Sequence, residues 1–283
     1  MVPQIGRVGV WAMELRFGDP AAIDEAAGEL DELGYGALWI PGGIDDAVLG
    51  DVDRLLSKTS RIVIGTGIIN IWKQEAADVA AWWKGQSAER QARVWLGIGV
   101  SHGPIIGETW MKPVAKTRQW VDEAIAAGLA KDAMCIAALG PKMMALARDR
   151  TGGAHPYLVD ASHTAEAREI LGPGKVLAPE QGVVLESDAD TARALAREAV
   201  KFYTGLPNYC NNWRRLGYSE EDIATVSDRL IDGIFAWGSA DQIAARVKAH
   251  HDAGADHVCI QAISATAIDG ARHAWRELAK VLL

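Results

Sequence analysis

The chemistry-bearing residues of this 283-residue chain collect at the ends of short apolar runs. The most suggestive is Val94-Trp95-Leu96-Gly97-Ile98-Gly99-Val100-Ser101-His102. A run that sheds its side chains at two glycines and ends on a hydroxyl and an imidazole reads as a parallel barrel strand whose C-terminal end lines a site. The glycines admit a flat ligand close to the backbone, or else mark a bulge in a core strand. Gly140-Pro141-Lys142 opens a helix directly after another apolar run. Its free backbone N–H groups and one lysine suit an anionic group, although a plain tight turn has the same sequence.

Other groups fall at comparable places: Trp11 and Glu14, Pro41-Gly42-Gly43, Gly67-Ile68-Asn70, Tyr157 to Asp160, Gln181 and Glu186. No Ser-His-Asp order, helical His-x-x-x-His or Cys-x-x-Cys pair is legible. The neighbouring His250 and His251 of one helix diverge, so no metal site is expected. His155, ahead of Pro156, reads as structural. With no complete acid, base or nucleophile set, the chemistry points to a bound cofactor.

Positioning such groups takes a repeating scaffold, and the chain supplies one. Strands are expected at 7–12, 37–40, 62–70, 94–102, 133–139, 154–159, 176–186 (bent at Pro179) and 256–263. Helices alternate with them at about 19–34, 48–58, 75–89, 116–129, 142–150, 164–171 and 269–283, with an irregular segment over 103–113. Asp19-Pro20 and Gly34 supply start and stop signals for the first helix. From about 190 to 253 only helices are expected. The pattern is an α/β fold, a (β/α)8 TIM barrel forming one domain over 1–283, with a helical insertion before the last strand.

Composition narrows the function. A net charge of −8, with no dense basic block, argues against nucleic acid as a partner. No apolar run is long enough for a bilayer, so no membrane partner is expected. Three separated cysteines, Cys135, Cys210 and Cys259, suit a reducing cytoplasm.

Four segments, Ile64-Gly-Thr-Gly-Ile68, Leu96-Gly-Ile-Gly-Val-Ser-His102, Ala137-Ala-Leu-Gly-Pro-Lys-Met143 and Gly153-Ala-His-Pro-Tyr-Leu-Val159, resemble the luciferase-like monooxygenase superfamily. They resemble in particular its actinobacterial oxidoreductases that use the deazaflavin coenzyme F420. Pro207-Asn-Tyr-Cys-Asn-Asn-Trp-Arg-Arg-Leu-Gly217 and Ala236-Trp-Gly238 resemble the same subgroup, so the likeness covers almost the whole chain in order.

The resemblance implies an oxidoreductase that passes hydride between coenzyme F420 and a small organic substrate. It places the ring system against strand three at Gly67, Ile68 and Asn70, with a non-prolyl cis peptide at Gly67-Ile68. Gly99 and the small Ala137 and Ala138 leave room, while Ser101, His102, Gly140, Pro141 and Lys142 meet the phosphate tail. Related sugar-phosphate dehydrogenases carry His or Asp after strand two, where this chain has Pro41-Gly42-Gly43. Their glutamate acid after strand four falls on His102, which becomes the candidate catalytic proton donor because imidazole titrates near neutral pH. An FMN-dependent monooxygenase and a non-catalytic binding barrel are the alternatives. The resemblance also implies a homodimer, with Trp82 and Trp83 as candidates for its interface or for helix packing. Trp11, Trp39 and Trp72 are candidates to line an apolar pocket.

Overall fold

The computed structural model describes residues 2–43, 45–107 and 112–283. Its strands in chain order are β1 (Val8–Trp11), β2 (Ala37–Ile40), β3 (Val63–Thr66), β4 (Ile69–Asn70), β5 (Val94–Gly99) and β6 (Met134–Ile136). Then come β7 (Gly153–Ala154), β8 (Val176–Leu177), β9 (Glu180–Val184), β10 (Phe235–Trp237) and β11 (Val258–Ala262). The helices are α1 (Pro20–Leu33), α2 (Val48–Lys58), α3 (Ala76–Gly85), α4 (Ala88–Gln91), α5 (Gly103–Ile106), α6 (Pro113–Ala126) and α7 (Pro141–Arg150). They continue with α8 (Ala161–Leu171), α9 (Ala189–Val200), α10 (Pro207–Arg215), α11 (Glu220–Thr225), α12 (Asp228–Ile234), α13 (Ala240–Asp252) and α14 (Ala267–Leu282).

Every strand pairing is parallel, in the order β10-β9-β11-β1-β2-β3-β5-β6-β7-β8, with β4 beside β5. β8, at one end of that order, and β9, next to the other end, belong to one run, residues 176–184. Along one edge Ala178 N–H donates to Ala154 O and Glu180 N–H to Pro156 O. Along the other, Cys259 N–H donates to Pro179 O. The sheet therefore closes into the expected barrel, with β10 added beside β9 and paired on that side alone. Extra segments arise where strand three breaks between Thr66 and Ile69 and strand seven breaks at Ala178-Pro179.

The local signals act as expected at α1. The Asp19 side chain accepts from Ala22 N–H at 3.0 Å, and Gly34 closes the helix at φ 96°. Two expectations are corrected. The insertion is not purely helical, because Phe235–Trp237 extends beside β9 as β10. Three apolar residues directly after a helix carry too little periodicity to be separated from it. Regular strand six is only β7, 153–154, with single backbone bonds continuing to His155 and Pro156, since Pro156 has no N–H to donate and Leu158 turns left-handed at φ 53°. Of the segment expected to be irregular, 103–106 is the short helix α5, and 108–111 lie outside the described residues.

The barrel interior is packed with rings below its upper end. Trp39 stacks on His155 at 4.3 Å and meets Trp95 edge-on at 5.5 Å. Its Nε1–H donates to His257 Nε2 at 3.2 Å, and His257 Nδ1–H donates to Gly6 O. Trp39 therefore lies beneath the cavity described below and is not part of its wall. Trp83 is buried in the helical layer, and the half-buried Trp82 donates its indole N–H to Asp53 at 2.9 Å. The insertion has its own apolar cluster, centred on Val200, Trp213, Leu230, Ile234 and Phe235. Among the described residues, no helix is long and apolar enough to cross a membrane.

Strands three and four approach too closely for a side chain at Gly97, whose added Cβ would stand 2.1 Å from Thr66 O. We predict that Gly97→Ala destabilises the fold by about 1–3 kcal/mol through overpacking. Gly50→Ala in α2, where an added Cβ meets nothing within 4 Å, serves as the control and is neutral or stabilising. Urea denaturation of both variants checks the contrast.

Candidate active site

A cavity of about 560 Å³ opens at the C-terminal ends of the strands, where barrels of this kind place their sites. Strand ends supply one wall through Gly43, Gly67, Ile68, Gly99, Ala137 and Ala138. Ser101, His102, Trp11, His155 and Tyr157 also face it. The insertion supplies the opposite wall through Phe202, Tyr203, Asn208 and Tyr209. None of the described lining residues is Asp, Glu, Lys or Arg.

The segment Thr66-Gly67-Ile68 organises this wall. Its Gly67-Ile68 peptide is cis, at the place the resemblance implies. Two of the neighbours that meet the segment, Gly42 and Gly99, have no side chain. A Cβ on Gly42 would stand 2.5 Å from Ile68 O, and one on Gly99 would stand 3.1 Å from the Ile68 side chain. A Cβ on Gly67 itself would stand 2.3 Å from Trp11 Nε1. Gly43, by contrast, has open space where a side chain would go, so the missing strand-two acid or base leaves room in the cavity.

Asn70 holds this arrangement from behind. Its amide donates to Gly43 O at 3.0 Å, and its carbonyl oxygen accepts from Trp72 N–H at 3.0 Å. It is fully buried and ties the strand-three end to the strand-two loop without lining the cavity. Trp72 is used in the same way, donating to Val100 O at 2.9 Å. Gly140, Pro141 and Lys142 start α7 just beyond Ala138 and Leu139, with Pro141 and Lys142 exposed and none of the three in the cavity wall.

His102 sits where the strand-four end meets the insertion. Its ring packs against Tyr209 at 5.6 Å and Phe202 at 6.5 Å. Burial lowers its pKa below the usual histidine value, and a hydrogen bond with the Asn208 side chain opposes this only in part. The ring is therefore neutral at pH 7 and rests as a proton acceptor, so it can act as the expected proton donor only after taking up a proton. Nδ1 is buried and has no partner among the described residues.

Four features at or beside the cavity escaped sequence reasoning. The aromatic residues of the turn Lys201–Gly205 and of α10 reach the rim only through tertiary packing. His155, read as structural, also forms part of the inner wall. Glu180 is fully buried beneath the tyrosines, and Oε2 accepts from Leu158 N–H at 3.0 Å. Burial pushes its carboxyl up to about 8. Leu158, left-handed at φ 53°, is held from its other side by Trp213, whose Nε1–H donates to Leu158 O at 3.2 Å. That clamp aims Tyr157 at the cavity, where its hydroxyl donates to Gln261 Oε1 at 2.8 Å. Gln181, a rim candidate, instead accepts from His250 Nε2–H at 2.9 Å in the helical layer.

No family model matches the sequence, and no curated protein does either. Solved structures match over nearly the whole chain. An F420-dependent secondary alcohol dehydrogenase, in complex with an F420-acetone adduct, has a TM-score of 0.72 at 16% identity, covering 98% of this chain and 99% of that one. The coenzyme F420 dependent tetrahydromethanopterin reductase from Methanopyrus kandleri has a TM-score of 0.69 at 14% identity, covering 99% and 98%. The oxygenating constituent of 3,6-diketocamphane monooxygenase from Pseudomonas putida, in complex with FMN, has a TM-score of 0.67 at 14% identity, covering 98% and 97%. The chain shares their fold from end to end, as the resemblance to the luciferase-like superfamily implies.

The buried Glu180 gives the site a pH signature. Folded, the carboxyl keeps its proton up to about pH 8, whereas unfolded it releases it near pH 4.3, the approximate model-peptide value. Its contribution to stability is thus fully present below the unfolded value and is lost as pH rises through the folded one, at about 1.4 kcal/mol per pH unit in between. Glu180→Gln removes that slope, so the variant gains on the wild type from pH 5 to pH 8 in urea denaturation. A difference that does not change with pH contradicts this reading.

Proposed function

We propose that the protein is an oxidoreductase that binds coenzyme F420 in this cavity and passes hydride between it and a small, neutral organic substrate. The observation that carries the reading is the wall formed by Gly43, Gly67, Gly99, Ala137 and Ala138, none with a side chain larger than a methyl, at the mouth of a barrel whose fold F420-dependent enzymes share. Gly67, Ile68, Gly99, Ala137 and Ala138 would hold the ring system by contact, since none offers a bulky or charged side chain. Ser101 and the N–H groups at the start of α7 would receive the anionic tail, leaving His102 to the substrate. The cofactor supplies the hydride chemistry.

The chain's own part is placement, exclusion of water and control of one proton. Phe202, Tyr203 and Tyr209 cover the cavity from the insertion side. His102, neutral and held by Asn208, takes the proton from an oxygen of the substrate when that substrate is oxidised, and returns it in the reverse direction. FMN-dependent monooxygenation is the second reading, supported by the likeness to the FMN-bound oxygenating constituent.

Steady-state kinetics with cofactor and acceptor test the proposal. Oxidation of reduced coenzyme F420 should accelerate when a suitable acceptor is added, and a protein that binds without turnover in either direction contradicts it. In the direction of substrate oxidation, neutral His102 is the active form, so kcat/KM rises with pH along a limb centred below pH 6.5 and is level above it. His102→Ala abolishes that limb and lowers kcat about 10²–10⁴-fold. An unchanged pH profile removes His102 from the mechanism.

A further inference from the structure

At the inner end of the cavity two ring nitrogens face the same glycine. A Cβ on Gly67 would stand 2.3 Å from Trp11 Nε1 and 3.3 Å from His155 Nε2. The two nitrogens are therefore at most about 5.6 Å apart, within the span that one oxygen at the usual hydrogen-bond distance from each can bridge. Both residues are more than nine-tenths buried and both line the cavity. Trp11 Nε1 is a donor with no partner among the described residues. An indole N–H left alone in the interior is costly, and such groups usually have a partner.

The role of His155 is set by its other nitrogen. Nδ1 lies 2.7 Å from Ala178 O, which only accepts, so Nδ1 carries the proton and Nε2 presents a lone pair. Burial lowers this histidine to about 4, so it stays neutral at pH 7 and keeps that polarity. Stacking on Trp39 at 4.3 Å fixes the plane of the ring. The result is one donor and one acceptor, side by side, on rigid barrel strands.

We propose that Trp11 Nε1–H and His155 Nε2 form a two-point hydrogen-bond site for a ligand group that accepts one bond and donates another. Two kinds of neutral group have that chemistry: the imide edge of a flavin-type ring, with its C=O beside N–H, and an aliphatic hydroxyl. A carboxylate or phosphate lacks the donor and would face the His155 lone pair in a wall without a described cation. The inference rests on the cavity being the ligand site of the proposed function.

Indole 15N–1H spectra and binding titrations test it, with the Trp11 resonance assigned by its loss in Trp11→Phe. That variant breaks no hydrogen bond of the described structure, so its fold is retained. Lumichrome and its N3-methyl derivative probe the imide edge, and cyclohexanol and its methyl ether probe the hydroxyl. In at least one pair, the unmethylated probe should bind roughly tenfold more tightly, the upper range for one hydrogen bond. It should also move the Trp11 resonance, and Trp11→Phe should weaken it severalfold. The pair that responds identifies the source. Failure of all probes to bind, an unmoved Trp11 resonance at saturation, or equal affinities within both pairs overturns the proposal. A protein that takes coenzyme F420 with Trp11 unmoved keeps the proposed function and loses this site. One that takes cyclohexanol at the pair but neither F420 nor FMN does the reverse.

Discussion

The structure depends on how closely the backbone around Thr66-Gly67-Ile68 is approached from every side. Thr66 O leaves no room for a Cβ at residue 97, Ile68 O leaves none at residue 42, and the Trp11 indole leaves none at residue 67. Glycines in neighbouring strands therefore answer a single steric demand. Beside them, Gly43, Gly67, Gly99, Ala137 and Ala138 give the cavity a stretch of wall with no side chain larger than a methyl. Contact with a flat molecule needs such a face, and a run of ordinary strand residues would not provide one.

Polarity follows from the same packing. The inner barrel is filled with Trp39, Trp95, His155 and His257; Trp39 and His257 bond each other, and His155 and His257 donate from Nδ1 to backbone carbonyls. Desolvation keeps His155 and His257 neutral, and it keeps Glu180 protonated. The cavity consequently has rings, hydroxyls and amides in its described walls but no fixed charge. That suits hydride transfer to or from a neutral molecule, where charge separation in a dry site would be unfavourable. Polar control is then left to a few groups: His102 at the mouth and Trp11 with His155 at the inner end.

Much of this was legible before any coordinates. Alternation of apolar runs with capped helices gave the barrel, because each unit carries its own start and stop residues, as Asp19, Pro20 and Gly34 do for α1. The cavity residues Gly67, Ile68, Gly99, Ser101 and His102 were legible because a barrel puts strand ends on one rim, and Ala137 and Ala138 through the family resemblance. Asn70 was named for the right region, but its burial behind the wall depends on partners at Gly43 and Trp72 that are distant in sequence. Phe202, Tyr203 and Tyr209 were invisible as site residues, since nothing periodic marks where an insertion folds back. Glu180 was hidden by its position in a bent strand, where exposure cannot be read from alternation. The lowered pKa of His102 is likewise a property of its surroundings and not of its residue type.

The central claim is that the glycine-ringed face accepts a deazaflavin ring. Paired fluorescence titrations of the purified protein with coenzyme F420 and with FMN test it most directly. The account predicts saturable binding of coenzyme F420, tighter than that of FMN. Binding of FMN alone would transfer the site to flavin chemistry, and binding of neither at tens of micromolar would contradict the claim and leave only the barrel.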